Sequence, residues 1–587
     1  MFKNDLTCIF FCFWVANLRA QLPKSPDSLL TPFERGRGLQ TATHTEGISF
    51  YEKLSRTFPK YVRLETRGIT DCGLPLHLLV VSDDAMKASP QYATKKNKCI
   101  WLINNAIHAG EPDGADASML FIRDLMLDSV KRKQVLETAI ILVVPFYNID
   151  GVLNRNSTTR TNQNGPESYG FRGNAKNLDL NRDFTKADTK NTRTFLQIYN
   201  QWMPDLLLDT HVSNGADYQY TMTLLPTQSD KLHSLLGRFQ QDSVLPLLYE
   251  GMKKRQQEMC PYINFEETPD RGITGFLDLP RYSTGFAALH HTLGFMSETH
   301  MLKPFKDRVQ ATRLLMHTFC ELIDNQGFNI IKIRKQAAQA TILQKNFDIH
   351  WKLDTSQRKS LIFKGYEAKY KQSSVTNLLQ LWYDRKAPYT KAIPYFPHFK
   401  PFLTVQKPTA YILPRAYAEV AERLQINGVR IEILEEDDTI DVEMYYIRDF
   451  KTTSFPYEGH YLHSQVQVEP VRMQRKFRKG DYRIRTNQVA NRFIVEMLEP
   501  QAPDSYFCWN FFDGILMQKE GFSDYVFEPL AAEILKKNPD LRRKLEEKRA
   551  KEPEFARSGA AQLDFIHKNS PYYEVTHQLY PVGRILN

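Results

Sequence analysis

Cys99-Ile-Trp-Leu-Ile-Asn-Asn-Ala-Ile-His-Ala-Gly-Glu111 begins as a buried strand and ends in a polar set. Cys99–Ile103 is short, apolar and β-rich, and the residues after it are turn formers, which predicts a strand giving way to a loop. Four other stretches have the same character: Leu76–Ser82, Thr138–Phe146, Leu206–Asp209 and Leu293–Met296. Between them, Asp116–Asp128 and Thr192–Trp202 carry apolar residues at helical spacing, and Ile48–Ser55 does so ahead of them. This alternation predicts an α/β fold, a mixed, mostly parallel sheet flanked by helices.

In open α/β sheets, functional loops gather at the carboxyl ends of the strands. Four polar signals follow or end apolar runs here: His108-Ala-Gly-Glu111, Asn177-Leu-Asp-Leu-Asn-Arg182, Asp209-Thr-His211 and Ser297-Glu298-Thr-His300. A His and a Glu three apart also occur on any solvated helix face, so the first signal alone decides little. His108, Glu111 and His211 together make a zinc ligand set, with a fourth position left for water. Amide hydrolysis also needs a base that takes a proton from water and hands it to the leaving nitrogen, and Glu298 is the candidate. Asn148, Asp150 and Gly151 end another apolar strand and are read as a supporting turn.

The ordered set resembles the zinc metallocarboxypeptidases, the carboxypeptidase A-like family, over about Gly47 to Lys303. The resemblance implies one zinc per chain on His108, Glu111 and His211, with Glu298 as general base. It also implies that Asn181 and Arg182 hold the terminal carboxylate of a peptide, a task that suits an Arg fork with an amide donor. Asp179 would orient a zinc-binding histidine from behind. An arginine that stabilises the oxyanion is expected shortly before Asn181, at Arg172, with Arg160 as competitor. Tyr282 stands nearest to the family's substrate-covering tyrosine, although its spacing to Glu298 is short.

Length and composition frame this reading. The 587 residues predict more than one domain, and 42% hydrophobic, 12% aromatic and 25% charged residues describe an ordinary globular chain. The net charge of +10 is spread along the sequence and calls for no nucleic-acid partner. Lys3 followed by the apolar run Leu6–Ala16 and by Leu18-Arg-Ala20 has the layout of a signal peptide at 1–20, which predicts export to a periplasmic or extracellular space. The run is too short to span a bilayer, so no integral membrane span is expected after cleavage. The remaining cysteines, Cys72, Cys99, Cys260, Cys320 and Cys508, are scattered, and no disulfide framework is expected.

A lead at 21–46, a catalytic domain at 47–330, a connecting region at 331–400, irregular over Asp384–Pro401, and a smaller α+β accessory domain at 401–587 complete the expected organisation. The densest basic run, Arg472–Lys479, reads as a solvated strand and turn, and the aromatic Tyr506–Phe512 as core. Expected partners are peptide or protein C-termini. The rivals are a zinc amidohydrolase or cell-wall peptide hydrolase on the same scaffold, and a non-catalytic peptide-binding protein.

Overall fold

Eight strands build the central sheet: β1 Val62–Ile69, β2 Pro75–Val81, β3 Cys99–Asn104, β4 Ala139–Val144, β5 Leu206–Ser213, β6 Met222–Pro226, β7 Cys260–Pro261 and β8 Leu293–His300. The structure is a computed structural model describing residues 29–586; the expected signal peptide lies outside the described residues. The strands run in the order β1-β2-β4-β3-β5-β8-β6-β7. The central four, β4, β3, β5 and β8, are parallel; β2 and β6 join them antiparallel, β1 pairs antiparallel with β2, and β7 pairs parallel with β6.

Every residue of β3, β4 and β5 is buried, as a parallel sheet covered on both faces requires. Helices α1 His44–Thr57, α2 Asp113–Leu127, α3 Lys190–Trp202, α4 Ser283–Leu289 and the 39-residue α5 Phe305–Leu343 pack around the sheet. Phe319 of α5 stacks on Trp101 of β3, ring centroids 5.2 Å apart. The alternation of short apolar runs and helical spacing therefore carries through to the fold.

Two strands extend beyond their apolar runs. β5 continues past Asp209 to Ser213, and β8 past Met296 to His300. Their polar ends stay paired because the ladder continues through Asp209 with Met296, His211 with Glu298 and Ser213 with His300. An apolar-run criterion stops where side chains turn from the core to a cavity, although the backbone does not.

Asp384–Pro401, expected to be irregular, is ordered β-structure. Strands β9 Asn346–Leu353, β10 Lys359–Gln372, β11 Leu379–Phe396 and β12 Phe399–Gln406 occupy this region, with β10 and β11 forming a long antiparallel hairpin. Pro388 sits beside the register shift after Tyr366, where a strand tolerates a missing N–H. The proline and lysine content that suggested a linker is thus carried by a ribbon whose faces are largely exposed.

Beyond 401, six strands, β13 Ala410–Leu413, β14 Glu432–Ile433, β15 Asp438–Thr452, β16 His463–Phe477, β17 Tyr482–Arg485 and β18 Leu579–Ile585, form a second sheet. The apolar core is continuous from the first sheet into this part: Tyr411, Phe493, Tyr506 and Phe507 belong to the same cluster as Trp101 and Leu207. All five cysteines in the described residues are free, and among these residues no helix is long and apolar enough to cross a membrane.

Candidate active site

The carboxyl ends of β3, β5 and β8 face one cavity of about 600 Å³. The loop after β3 delivers His108 and Glu111, β5 delivers His211, and β8 delivers Glu298; all four line the cavity. Gly110 is fixed by crowding, since a Cβ there would stand 2.6 Å from Arg160 Cδ and 3.0 Å from the Gly170 carbonyl.

His108 Nδ1 lies 3.2 Å from Glu111 Oε1, His211 Nδ1 lies 3.3 Å from Glu111 Oε2, and the two Nδ1 atoms are 3.3 Å apart. Tetrahedral ligands at about 2.0–2.1 Å from zinc are themselves about 3.3 Å apart. The triangle therefore fits zinc in size as well as in donor chemistry. Among the described residues it is the one cluster of such side chains spaced for a metal ion.

Both imidazoles are held from behind. His108 Nε2 meets Asp179 Oδ1 at 3.0 Å, and His211 Nε2 meets Asp209 Oδ2 at 2.8 Å. Each carboxylate stands where it can accept the outer ring N–H, the tautomer that turns Nδ1 to the cavity as a ligand. Asp209 in turn accepts from the Asn104 amide at 3.0 Å. Asp209 is not among the expected site residues, although its spacing from His211 signals the contact: residues two apart on a strand share a face. Glu111 Oε2 accepts from the Val212 N–H at 2.8 Å.

Burial works to raise the Asp179 carboxyl, but His108, Arg172 and Arg182 overcome it and hold it well below the usual carboxylate range. Glu298 goes the other way. Burial pushes it up to about 7, opposed by His211 and reinforced by Glu111 and Asp209.

Both candidate arginines line the cavity. Arg172 is fixed on Asp179 Oδ2 through Nε at 3.0 Å and Nη2 at 2.9 Å, and its Nη1 stands 3.7 Å from Glu111. Arg160 reaches Glu111 at 3.1 Å and is tied to Gln163 at 2.6 Å. The Asn148 amide donates to the Arg172 carbonyl at 2.9 Å and Asp150 accepts from the Ala175 N–H at 3.0 Å, so that turn does brace the arginine loop. His300 is spent elsewhere, bonded to the Ala216 carbonyl at 2.9 Å and packed on Tyr218.

Asn181 Oδ1 accepts from the Ser283 N–H at 3.1 Å, which orients the amide so that its NH2 is left for the cavity. Arg182 donates from Nη1 to the Asn181 carbonyl at 2.9 Å and from Nε to the Tyr457 hydroxyl at 3.0 Å. The Tyr282 ring lies under the Arg182 guanidinium at 4.5 Å. Leu225, Tyr262, Phe276 and Met296 form an apolar wall of the cavity; Leu225 and Met296 are directly paired across β6 and β8. The sequence offered no way to find this wall or Tyr457, because both depend on contacts between distant segments.

A model of the zinc carboxypeptidase family matches residues 48–206. Carboxypeptidase 2 of Trichophyton rubrum is 21% identical over 510 residues, 84% of this chain and 87% of that one. A probable carboxypeptidase 2 of Arthroderma benhamiae is 22% identical over 504 residues, 82% of this chain and 88% of that one. Among solved structures, a metallo-carboxypeptidase from Burkholderia cenocepacia aligns at 14% identity and a TM-score of 0.37, covering 49% of this chain and 70% of that one. Residues 48–206 thus match a zinc carboxypeptidase domain, and His211 and Glu298 lie beyond that match on two neighbouring strands of the same sheet.

Proposed function

We propose that this zinc metallocarboxypeptidase removes C-terminal residues that carry apolar side chains, with Asn181 and Arg182 recognising the free carboxylate. The observation that carries this reading is the pairing of the ligand triangle with a clamp in one cavity. An Asn NH2 and an Arg Nη2 left free beside each other are suited to a carboxylate.

His108, Glu111 and His211 would hold the zinc, which when bound polarises the attacking water and the scissile carbonyl. Asp179 and Asp209 keep the imidazoles in the ligating tautomer. Glu298, raised towards neutrality, takes a proton from the water and delivers it to the leaving amine. Arg172, locked on Asp179, presents Nη1 to the developing oxyanion. Tyr282 supports the clamp with its ring stacked on the Arg182 guanidinium. The substrate's last side chain then meets Leu225, Tyr262, Phe276 and Met296.

Export is proposed on the N-terminal pattern Lys3, Leu6–Ala16 and Ala20. A panel of N-blocked dipeptides tests the substrate class. Peptides ending in Phe or Leu should be cleaved in preference to those ending in Lys or Asp, and muropeptides should be left intact. Preferential release of Lys or Asp, or hydrolysis of muropeptides alone, would overturn it.

A further inference from the structure

The clamp is reached from the far part of the chain. Thr453–Leu462 joins β15 to β16, and its tip is a tight turn in which Tyr457 and His460 exchange backbone hydrogen bonds of 2.7 and 3.1 Å. Both central residues have positive φ, Glu458 at 50° and Gly459 at 84°. Glycine adopts this freely, whereas a glutamate there needs compensation. Glu458 has it, since its carboxylate accepts the Asp179 N–H at 2.7 Å. One turn therefore touches both the residue behind His108 and, through Tyr457, the guanidinium of Arg182.

The turn is itself anchored. The Tyr457 ring stacks on Trp509 with planes 15° apart, and the Arg281 guanidinium lies over both rings, 5.4 and 4.9 Å away. Arg281 is buried and paired with buried Asp504 through both its backbone N–H and Nε, each at 2.8 Å. His460 reaches Asp188 at 2.8 Å. Tyr282, the neighbour of Arg281, packs on Arg182 from the other side.

We propose that Tyr457 is a positioning residue for the substrate's terminal carboxylate, so that the region after 401 completes the recognition site. Its hydroxyl oxygen takes the Arg182 Nε–H while the Asn181 carbonyl takes Nη1. Nη2 is thereby left facing the cavity. An arginine side chain held in one rotamer loses less freedom when a carboxylate binds. The inference rests on the carboxypeptidase reading above.

Tyr457→Phe in the full zinc-loaded chain tests it, because the ring stacked on Trp509 is kept and only the acceptor is lost. The KM of a free-acid peptide and the Ki of 3-phenylpropionate should rise together, by about five-fold. kcat should stay within about two-fold, and the Ki of acetohydroxamate, which meets the metal alone, should not move. KM and Ki do not depend on the fraction of protein folded. Unchanged KM and phenylpropionate Ki, or a fall in kcat with Ki unmoved, overturns the inference while leaving the enzyme reading intact. A wild-type chain that releases no C-terminal residue defeats both.

Discussion

His211 and Glu298 stand at the same level on adjacent parallel strands, β5 and β8. Side chains at paired positions of neighbouring strands point to the same face, about 4.8 Å apart at the backbone. The sheet register thus sets the distance between the proposed metal ligand and the proposed base, and no flexible loop intervenes. Glu298→Gln removes the proton acceptor without changing size. Turnover should fall by about 10²–10⁴-fold, while zinc content measured by atomic emission stays at one per chain. Retained turnover would remove Glu298 from the mechanism.

Asp209 touches no substrate, yet it holds the outer nitrogen of His211 at 2.8 Å. Asp209→Asn weakens that hold. Zinc affinity, measured by competition with a chelating dye, should drop by about 10–100-fold, with kcat largely recovered at saturating zinc.

The two candidate arginines differ in what supports them. Arg172 is aligned by Asp179, the partner of His108, whereas Arg160 is spent on Gln163 and Glu111. Arg172→Ala should lower kcat by about 10²–10³-fold, and Arg160→Ala by much less. The reverse order in steady-state kinetics would exchange their roles.

A second buried network sits beneath the site. Arg308, fully buried on α5, grips Asp113 through Nε at 2.8 Å and Nη2 at 3.2 Å, and donates to the carbonyls of Asn164, Gly165 and Lys303. Asp113 also accepts from Thr299, the neighbour of Glu298, at 2.6 Å. Arg308→Ala strands a buried carboxylate and should cost about 3–5 kcal/mol in denaturant unfolding. A loss below about 1 kcal/mol would show that water replaces the arginine freely.

Acid should destabilise the fold before it reaches ordinary carboxylates. Burial pushes His290 and His317 down to about 3 and His44 down to about 4. These rings stay neutral in the folded chain and take up protons on unfolding. Their contribution is complete above about pH 6.5 and is lost as pH falls towards 3, by up to about 1.4 kcal/mol per unit for each group. Asp116 and Glu298, each raised to about 7 by burial, oppose this because the folded state holds their protons, while His291 and His300, both pushed down to about 4 by burial, add to the histidine side. Melting temperatures should therefore fall between pH 7 and 5, and His290→Gln should flatten the decline. A melting temperature that rises as the pH drops would mean the carboxyls outweigh the histidines.

The parallel core was legible because buried strands are written as continuous apolar runs, as in Cys99–Ile103 and Leu206–Leu208. His108, Glu111, His211 and Glu298 meet because the same runs end at one edge of the sheet. What escaped notice has physical causes. The ends of β5 and β8 carry polar side chains into a cavity, so hydropathy stops short of them. The β10–β11 ribbon is exposed on much of both faces and lacks an apolar signature. Tyr457 and Glu458 reach Arg182 and Asp179 from more than two hundred residues away, and no local pattern encodes such a contact.

The central claim is that a free C-terminal carboxylate is recognised by Asn181 and Arg182 beside the metal triangle. Its most direct test is a matched pair of peptides ending in Phe, one as the free acid and one as the amide, incubated with the zinc-loaded chain and followed by mass spectrometry. The account predicts stepwise loss of single residues from the free acid, at least about ten-fold slower loss from the amide, and convergence of the two rates in Arg182→Ala. Internal cleavage, or equal rates on acid and amide in the unaltered chain, would contradict it.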